Sequence, residues 1–264
     1  MTETHLLDVV NSGRRTKDGS GGTTSVWEDT SGAHLTAHIT NGTIDCTHPS
    51  FSGNSRLVGR VIGQFGDDCP YCHWLTVEIV DEKGAPLYQQ VVLLEDLTAP
   101  SGNLREGAWV VVRTTGLVEQ LAVFKDLEDF RSQQPADSPF GPRWLVHMGT
   151  FPSKAAEPRK TSSHVMVFGA VKDVQELANT RTSETFSRVT VESYSYDMEM
   201  LIASEDTRDG ILPGNFVRAI CCVVGRVETS TSQKGPPASG GGGVAFGDAG
   251  KEFFDRMPGT VVNG

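Results

Sequence analysis

One pattern occurs twice in this chain and narrows its possible folds more than any other feature. Leu57-Val58-Gly59-Arg60-Val61-Ile62 and Val165-Met166-Val167-Phe168-Gly169-Ala170-Val171 are apolar runs, each broken by one glycine. A glycine inside a strand marks a hard bend or a close backbone neighbour. A polar loop follows each run, and then a strand of period two. In the first copy Leu75, Val77 and Ile79 share one face; in the second, Val189 and Val191 alternate with Arg188, Thr190 and Glu192. A short third strand comes next, over 90–94 and 198–203. The endings match as well: Leu104-Arg105-Glu106-Gly107-Ala108-Trp109 leads to Gly116, and Leu212-Pro213-Gly214-Asn215-Phe216 leads to Gly225. In each ending a glycine turn feeds an aromatic-led apolar strand, and the second glycine is expected to let the chain bend into a final strand.

This layout resembles the OB fold over about residues 55–130 and 163–229. In that family a glycine-bent first strand opens a closed five-stranded barrel, and an L-x-x-G-x-x-V element precedes the fourth strand; closure also removes exposed strand edges. The resemblance implies an all-β chain with two tandem OB-type five-stranded barrels, of the replication-protein-A and single-strand-binding class. The alternative is a single larger β-sandwich. Five segments are expected: residues 1–54, an N-terminal extension with a β-hairpin at 33–46; 55–132, the first barrel; 133–162, a Pro-rich basic linker; 163–229, the second barrel; and 230–264, a Gly-rich tether with an apolar tail. Leu121, Phe124, Leu127 and Phe130 stand near helical spacing and predict a short helix within 118–132. Residues 11–25 read as mobile. In the hairpin, Asn41-Gly42 makes the turn, and His34, Thr36 and His38 fall on the polar face.

The chain has a formal charge of −10 and a pI near 5.2, which argues against coating duplex DNA by charge alone. No basic n-region with an apolar run opens the sequence, and no apolar stretch is long enough to cross a bilayer, so an intracellular protein (cytoplasmic, or nuclear) without membrane contact is expected. Cysteine is odd in number, at five, which does not fit a disulfide framework.

The most pointed chemical cluster is Cys69-Pro70-Tyr71-Cys72-His73 with Cys46 and His48 upstream. Zinc takes four nitrogen or sulfur ligands in a tetrahedron, so Cys46, His48, Cys69 and Cys72 form a candidate structural site, with His73 as substitute. A redox Cys-x-x-Cys and plain reduced thiols are the other readings. Cys221 and Cys222, inside an apolar strand, read as packing residues.

Single-strand binding needs aromatics for stacking and cations for phosphates. The candidates are Arg60 and Tyr88 in the first copy, Arg181, Arg188, Tyr194 and Tyr196 in the second, and Arg143, Trp144 and Lys160 in the linker, with Phe65 and Trp74 as further aromatics. Between residues 57 and 120 nine acids face four bases, so only weak, salt-sensitive binding is expected there. Phosphate-loop, nucleophile-elbow and H-E-x-x-H motifs are missing, and Asp67-Asp68 and Glu205-Asp206 read as solvated loop charges, so no enzyme is expected. The expected function is single-stranded DNA or RNA binding, within a larger nucleic-acid maintenance assembly. The alternative is a non-catalytic assembly subunit that docks protein partners through its barrels and an exposed apolar patch of Phe253 and Phe254 of the tail with Phe124 and Phe130.

Overall fold

The computed structural model describes residues 3–17, 22–66, 73–81, 84–95, 104–135, 138, 140–148, 162–194, 196–207 and 210–231. The chain is mostly β, as expected. It opens with helix α1 (Glu3–Ser12) and strands β1 (Arg14–Lys17), β2 (Thr23–Glu28), β3 (Ala33–Thr40) and β4 (Thr43–Phe51). The four strands make one antiparallel sheet in the order β1-β2-β3-β4. Asn41 and Gly42 both take positive φ, at 53° and 82°, as a tight hairpin turn between right-twisted strands requires. Residues 14–17 and 23–25, expected to be mobile, are instead strand: β1 pairs with β2, β2 pairs with the first strand of the predicted hairpin, and Ser25 donates to the Val10 carbonyl at 2.6 Å. The polar face of β3 is also the reverse of the expectation. His34, Thr36 and His38 are buried, at 5%, 4% and 6% exposure, while Leu35 and Ile39 are only half-buried. Alternation does separate the two faces, but this sheet turns its histidines inward.

The second sheet holds β5 (Arg56–Gly66), β6 (His73–Val80), β7 (Pro86–Leu94), β8 (Trp109–Phe124), β9 (Trp144–His147), β10 (His164–Ala178), β11 (Thr185–Glu192), β12 (Asp197–Ala203) and β13 (Phe216–Thr231). Helix α2 (Leu127–Ser132) follows β8, capped by the Asp126 carboxylate on the Asp129 amide at 2.9 Å. The repeat is exact in register. Gly59 faces Val110 and Gly169 faces Val217. A Cβ on Gly59 would run into the Glu78 carbonyl oxygen, and one on Gly169 into the Glu192 carbonyl oxygen, so both positions require glycine. Each copy carries a bulge two residues later, between Val61 and Gly63 and between Val171 and Asp173. Gly107 and Gly214, at φ 80° and 92°, donate to the Val61 and Val171 carbonyls at 2.8 and 2.9 Å. Leu104 therefore corresponds to Ile211 rather than to Leu212, which is 65% exposed.

The endings depart from the expectation. No separate final strand begins after Gly116 or Gly225: β8 and β13 each run unbroken through that glycine, antiparallel to each other from Trp109–Thr231 to Phe124–Phe216. The start of β8 pairs with β5, while its middle pairs in parallel with β12 at Met200–Gly116 and Leu201–Leu117. The start of β13 pairs with β10, and its later part pairs in parallel with β7 at Val224–Leu93 and Gly225–Leu94. The pairings thus close two rings of five strands: β5-β6-β7-β13-β8 and β10-β11-β12-β8-β13. Each long strand serves both rings, so the expected spans 55–132 and 163–229 are crossed by strand pairing. Exchange satisfies the backbone donors and acceptors of both long strands with no free edge between them.

Leu75, Val77, Val189 and Val191 are fully buried in a continuous core that both rings share, as their alternation indicates. The helix expected within 118–132 is real only at 127–132. Leu121 and Phe124 belong to β8, and the near-helical spacing came from a strand running into a helix. Phe124 and Phe130 are buried in a second cluster with Phe168 and Phe216, which removes them as an exposed docking patch. Phe140 and Trp144 pack on that cluster, so this part of the 133–162 linker is docked rather than free.

Candidate nucleic-acid interface

The described cations picked out in the sequence are already partnered. Arg60 of β5 meets Glu78 of β6 at 2.6 Å, in cross-strand register. Glu192, which occupies the Glu78 position in the second copy, is met by Arg143 at 2.8 Å. Arg188 donates to Gln175 at 2.6 Å and lies 3.5 Å from Glu199. Arg181, at the β10–β11 turn, donates to the Ser12 hydroxyl at 3.0 Å. A guanidinium facing a carboxylate gains little from a phosphate that must displace it.

The aromatic candidates are mostly structural. Tyr196 is 7% exposed within the shared core, and burial pushes its phenol well above the ordinary value. It cannot stack on a base, which corrects its assignment. Tyr194 is half-buried, and burial raises its phenol as well. Tyr88 packs on the core and stacks on His147, with ring centroids 6.0 Å apart. Trp144 packs edge-on against Phe140 at 5.3 Å. Arg143, Trp144 and Tyr194 do come together, since Ser193 donates to the Trp144 carbonyl at 3.1 Å. Lys160, Cys69, Cys72, Phe253 and Phe254 lie outside the described residues.

The outer face of β11 and β12 is occupied by the chain itself. Glu199 of β12 is 4% exposed and accepts the amides of Asn54 and of Ser55, the latter at 3.1 Å. Phe51 packs edge-on against Phe186 at 6.1 Å, and Asp29 accepts the Thr180 amide at 3.2 Å. The N-terminal sheet is therefore fixed across the face where Arg188 was expected to meet ligand.

The equivalent face of β5, β6 and β7 differs. With Leu75, Val77 and Ile79 on the core face, Trp74, Thr76 and Glu78 share the opposite face, where Trp74 and Glu78 are half-buried and Thr76 is buried. Trp74 lies in register between Phe65 on β5 and Leu93 on β7, and Phe65 is 44% exposed. By strand register Trp74 stands where the second copy has Arg188, and Val91 where it has Glu199. The first copy thus lacks the carboxylate that holds residues 54 and 55. The N-terminal sheet meets this side through His34, bonded to Glu95 just past β7 at 3.0 Å. The result is a flat aromatic strip, Phe65 and Trp74, rimmed by the Arg60–Glu78 pair. Both aromatics are legible in the sequence as exceptions to the apolar face, but what lies over each copy is not.

For metal, Cys46 Sγ and His48 Nε2 do share a face, 3.1 Å apart. His38 stands opposite Cys46, its ring 5.7 Å from that of His48, and burial keeps the His48 imidazole pKa below its ordinary value. Among the described residues no three candidate ligands are arranged to hold a metal. Cys46, Cys221 and Cys222 are in no disulfide; Cys221 is fully buried and burial raises its thiol strongly. No described helix is long and apolar enough to cross a membrane. Comparison with family models, curated proteins and solved structures finds no match.

Proposed function

We propose that this chain binds single-stranded nucleic acid, and that each five-strand ring is an OB-type barrel whose fifth strand is supplied by the other repeat. The order of pairing supports the second statement: three meandering strands, a fourth pairing back to the first, and a fifth parallel to the third. One observation carries the function: Phe65, 44% exposed, and the half-buried Trp74 are cross-strand neighbours on the first ring, while the matching face of the second is covered. Bases stack on such a pair whatever their sequence, at about 1–3 kcal/mol each. With Arg60 neutralised by Glu78, affinity is modest and falls with salt. Cys46 and His48 would supply half of a structural zinc site with Cys69 and Cys72. Two ligands on one tetrahedral zinc stand about 3.6 Å apart, so the observed pair needs only a small opening.

The test is fluorescence anisotropy with a labelled oligo-dT of about 30 nucleotides, a length that covers several barrel footprints. Binding that weakens in Phe65→Ala and Trp74→Ala, with Trp74 emission quenched by ligand, is expected. Absence of binding to dT and to the matching RNA at low salt overturns the reading. The same apolar strip would then be sought as a protein contact.

A further inference from the structure

A second surface, remote in the fold from Phe65 and Trp74, has the chemistry of a nucleotide site. The outer faces of β8, β13 and β10 and the segment after α2 enclose a half-open groove of about 510 Å³. That is within the range of small-ligand pockets, about 300–1,000 Å³. Met166 and Ile220 lie side by side on its floor, in register with Gln120, and Phe140 forms a wall, itself stacked on Phe168 at 5.3 Å. Arg218 stands one row further along, exposed, opposite Ala122. Gln134 completes the polar lining.

The charge pattern is what sets this groove apart. Arg60, Arg143 and Arg188 each face a carboxylate, whereas Arg218 has no ion pair among the described residues, and no Asp or Glu is among the described residues lining the groove. A single guanidinium in an apolar-floored groove, with no acid among its described lining residues, matches one negative charge joined to one flat apolar group. A nucleic-acid phosphodiester carries one charge per nucleotide, and its base offers a stacking face with amide-like edges. Phe140 can take the face, Gln120 and Gln134 the edges, and Arg218 the phosphate.

We propose that the Arg218 groove holds one nucleotide of the bound single strand, as a second anchor beyond the Phe65–Trp74 strip. This rests on the nucleic-acid reading above and deepens it. Because Arg218 is exposed on a paired strand and supports no internal contact, Arg218→Gln is expected to leave folding intact.

The experiment titrates the full chain with labelled oligo-dT over a series of salt concentrations, comparing wild type, Arg218→Gln, Arg218→Glu and Trp74→Ala. Loss of one charge-assisted phosphate contact is expected to weaken binding about tenfold and to lower the slope of log affinity against log salt by about 0.7. Arg218→Glu should weaken binding further. Photo-crosslinking of a thymine-substituted probe should place a crosslink in the peptide containing Phe140. Wild-type binding that falls in Trp74→Ala but not in either Arg218 variant overturns the groove while leaving the function standing. Failure of wild type to bind any single strand overturns both. Binding of an acidic peptide at the groove, with oligo-dT unaffected by Arg218→Glu, also overturns it.

Discussion

His34 of β3 and Glu95 at the end of β7 meet at 3.0 Å with side chains only 3% and 5% exposed. This contact ties the N-terminal sheet to the strand-exchanged pair of rings. Arg226 of β13 stands 3.8 Å from the same carboxylate, so three segments converge on one acid. His34→Leu leaves Glu95 buried with its best partner gone, a change that typically costs about 3 kcal/mol. Urea unfolding should register that loss, and a double variant, His34→Leu with Glu95→Leu, should recover much of it. Equal stability of the single variant and wild type would show that the contact is energetically idle.

Glycine at 59 and 169 is required by a neighbouring carbonyl rather than by turn geometry. Gly59→Ala and Gly169→Ala should each destabilise by roughly 1–3 kcal/mol, the range for overpacking a filled site. Similar losses at both are expected because the two copies share one core. Chemical denaturation with circular dichroism should show one cooperative transition in each variant. Two separable transitions would contradict strands that serve both rings.

Acid should weaken the fold through buried imidazoles. His147 is 8% exposed, against Tyr88, and burial brings its pKa from 6.5 down to about 4. Burial shifts His48 in the same direction. Between about pH 6.5 and pH 4 the unfolded chain takes up a proton at His147 that the folded chain does not. Stability is therefore whole above that window and declines as pH falls through it, by roughly 1.4 kcal/mol per pH unit for this site. His147→Phe should flatten the decline measured by thermal melts across that range. An unchanged slope would mean that His147 protonates without cost in the folded chain.

Zinc offers an independent check on Cys46 and His48. Purified protein is expected to carry one equivalent by elemental analysis, and Cys46→Ser should abolish it. Chelation should lower the melting temperature in wild type and not in that variant. Metal content that is unaffected by Cys46→Ser would place any zinc elsewhere.

Much of this architecture is legible along the chain, and the failures have physical causes. Leu75-Thr76-Val77-Glu78-Ile79 gives its own core face, and Asn41-Gly42 gives its own turn, because both depend on neighbouring residues only. Tyr196 misled because a tyrosine reads alike whether it stacks on a ligand or fills a core. The helix misled because Leu121-Phe124 and Leu127-Phe130 continue one spacing across a change of element. The candidate cations misled because carboxylates distant in sequence neutralise them, Glu192 beside Arg143 and Glu199 beside Arg188.

By itself the sequence determined the repeat, the strands that its two copies share, the core face of β6 and β11, and the glycines at which strands crowd, since each follows from local sterics and period-two alternation. Only the tertiary structure decided that β13 pairs in parallel with β7 and β8 with β12, that the histidine face of β3 turns inward, and that the N-terminal segment covers β11 and β12 but leaves Phe65 exposed. Alternation says which side chains share a face. What comes to lie against that face is set by long-range packing, as where Glu199, in the place of Val91, accepts the amides of Asn54 and Ser55 and Phe51 packs on Phe186.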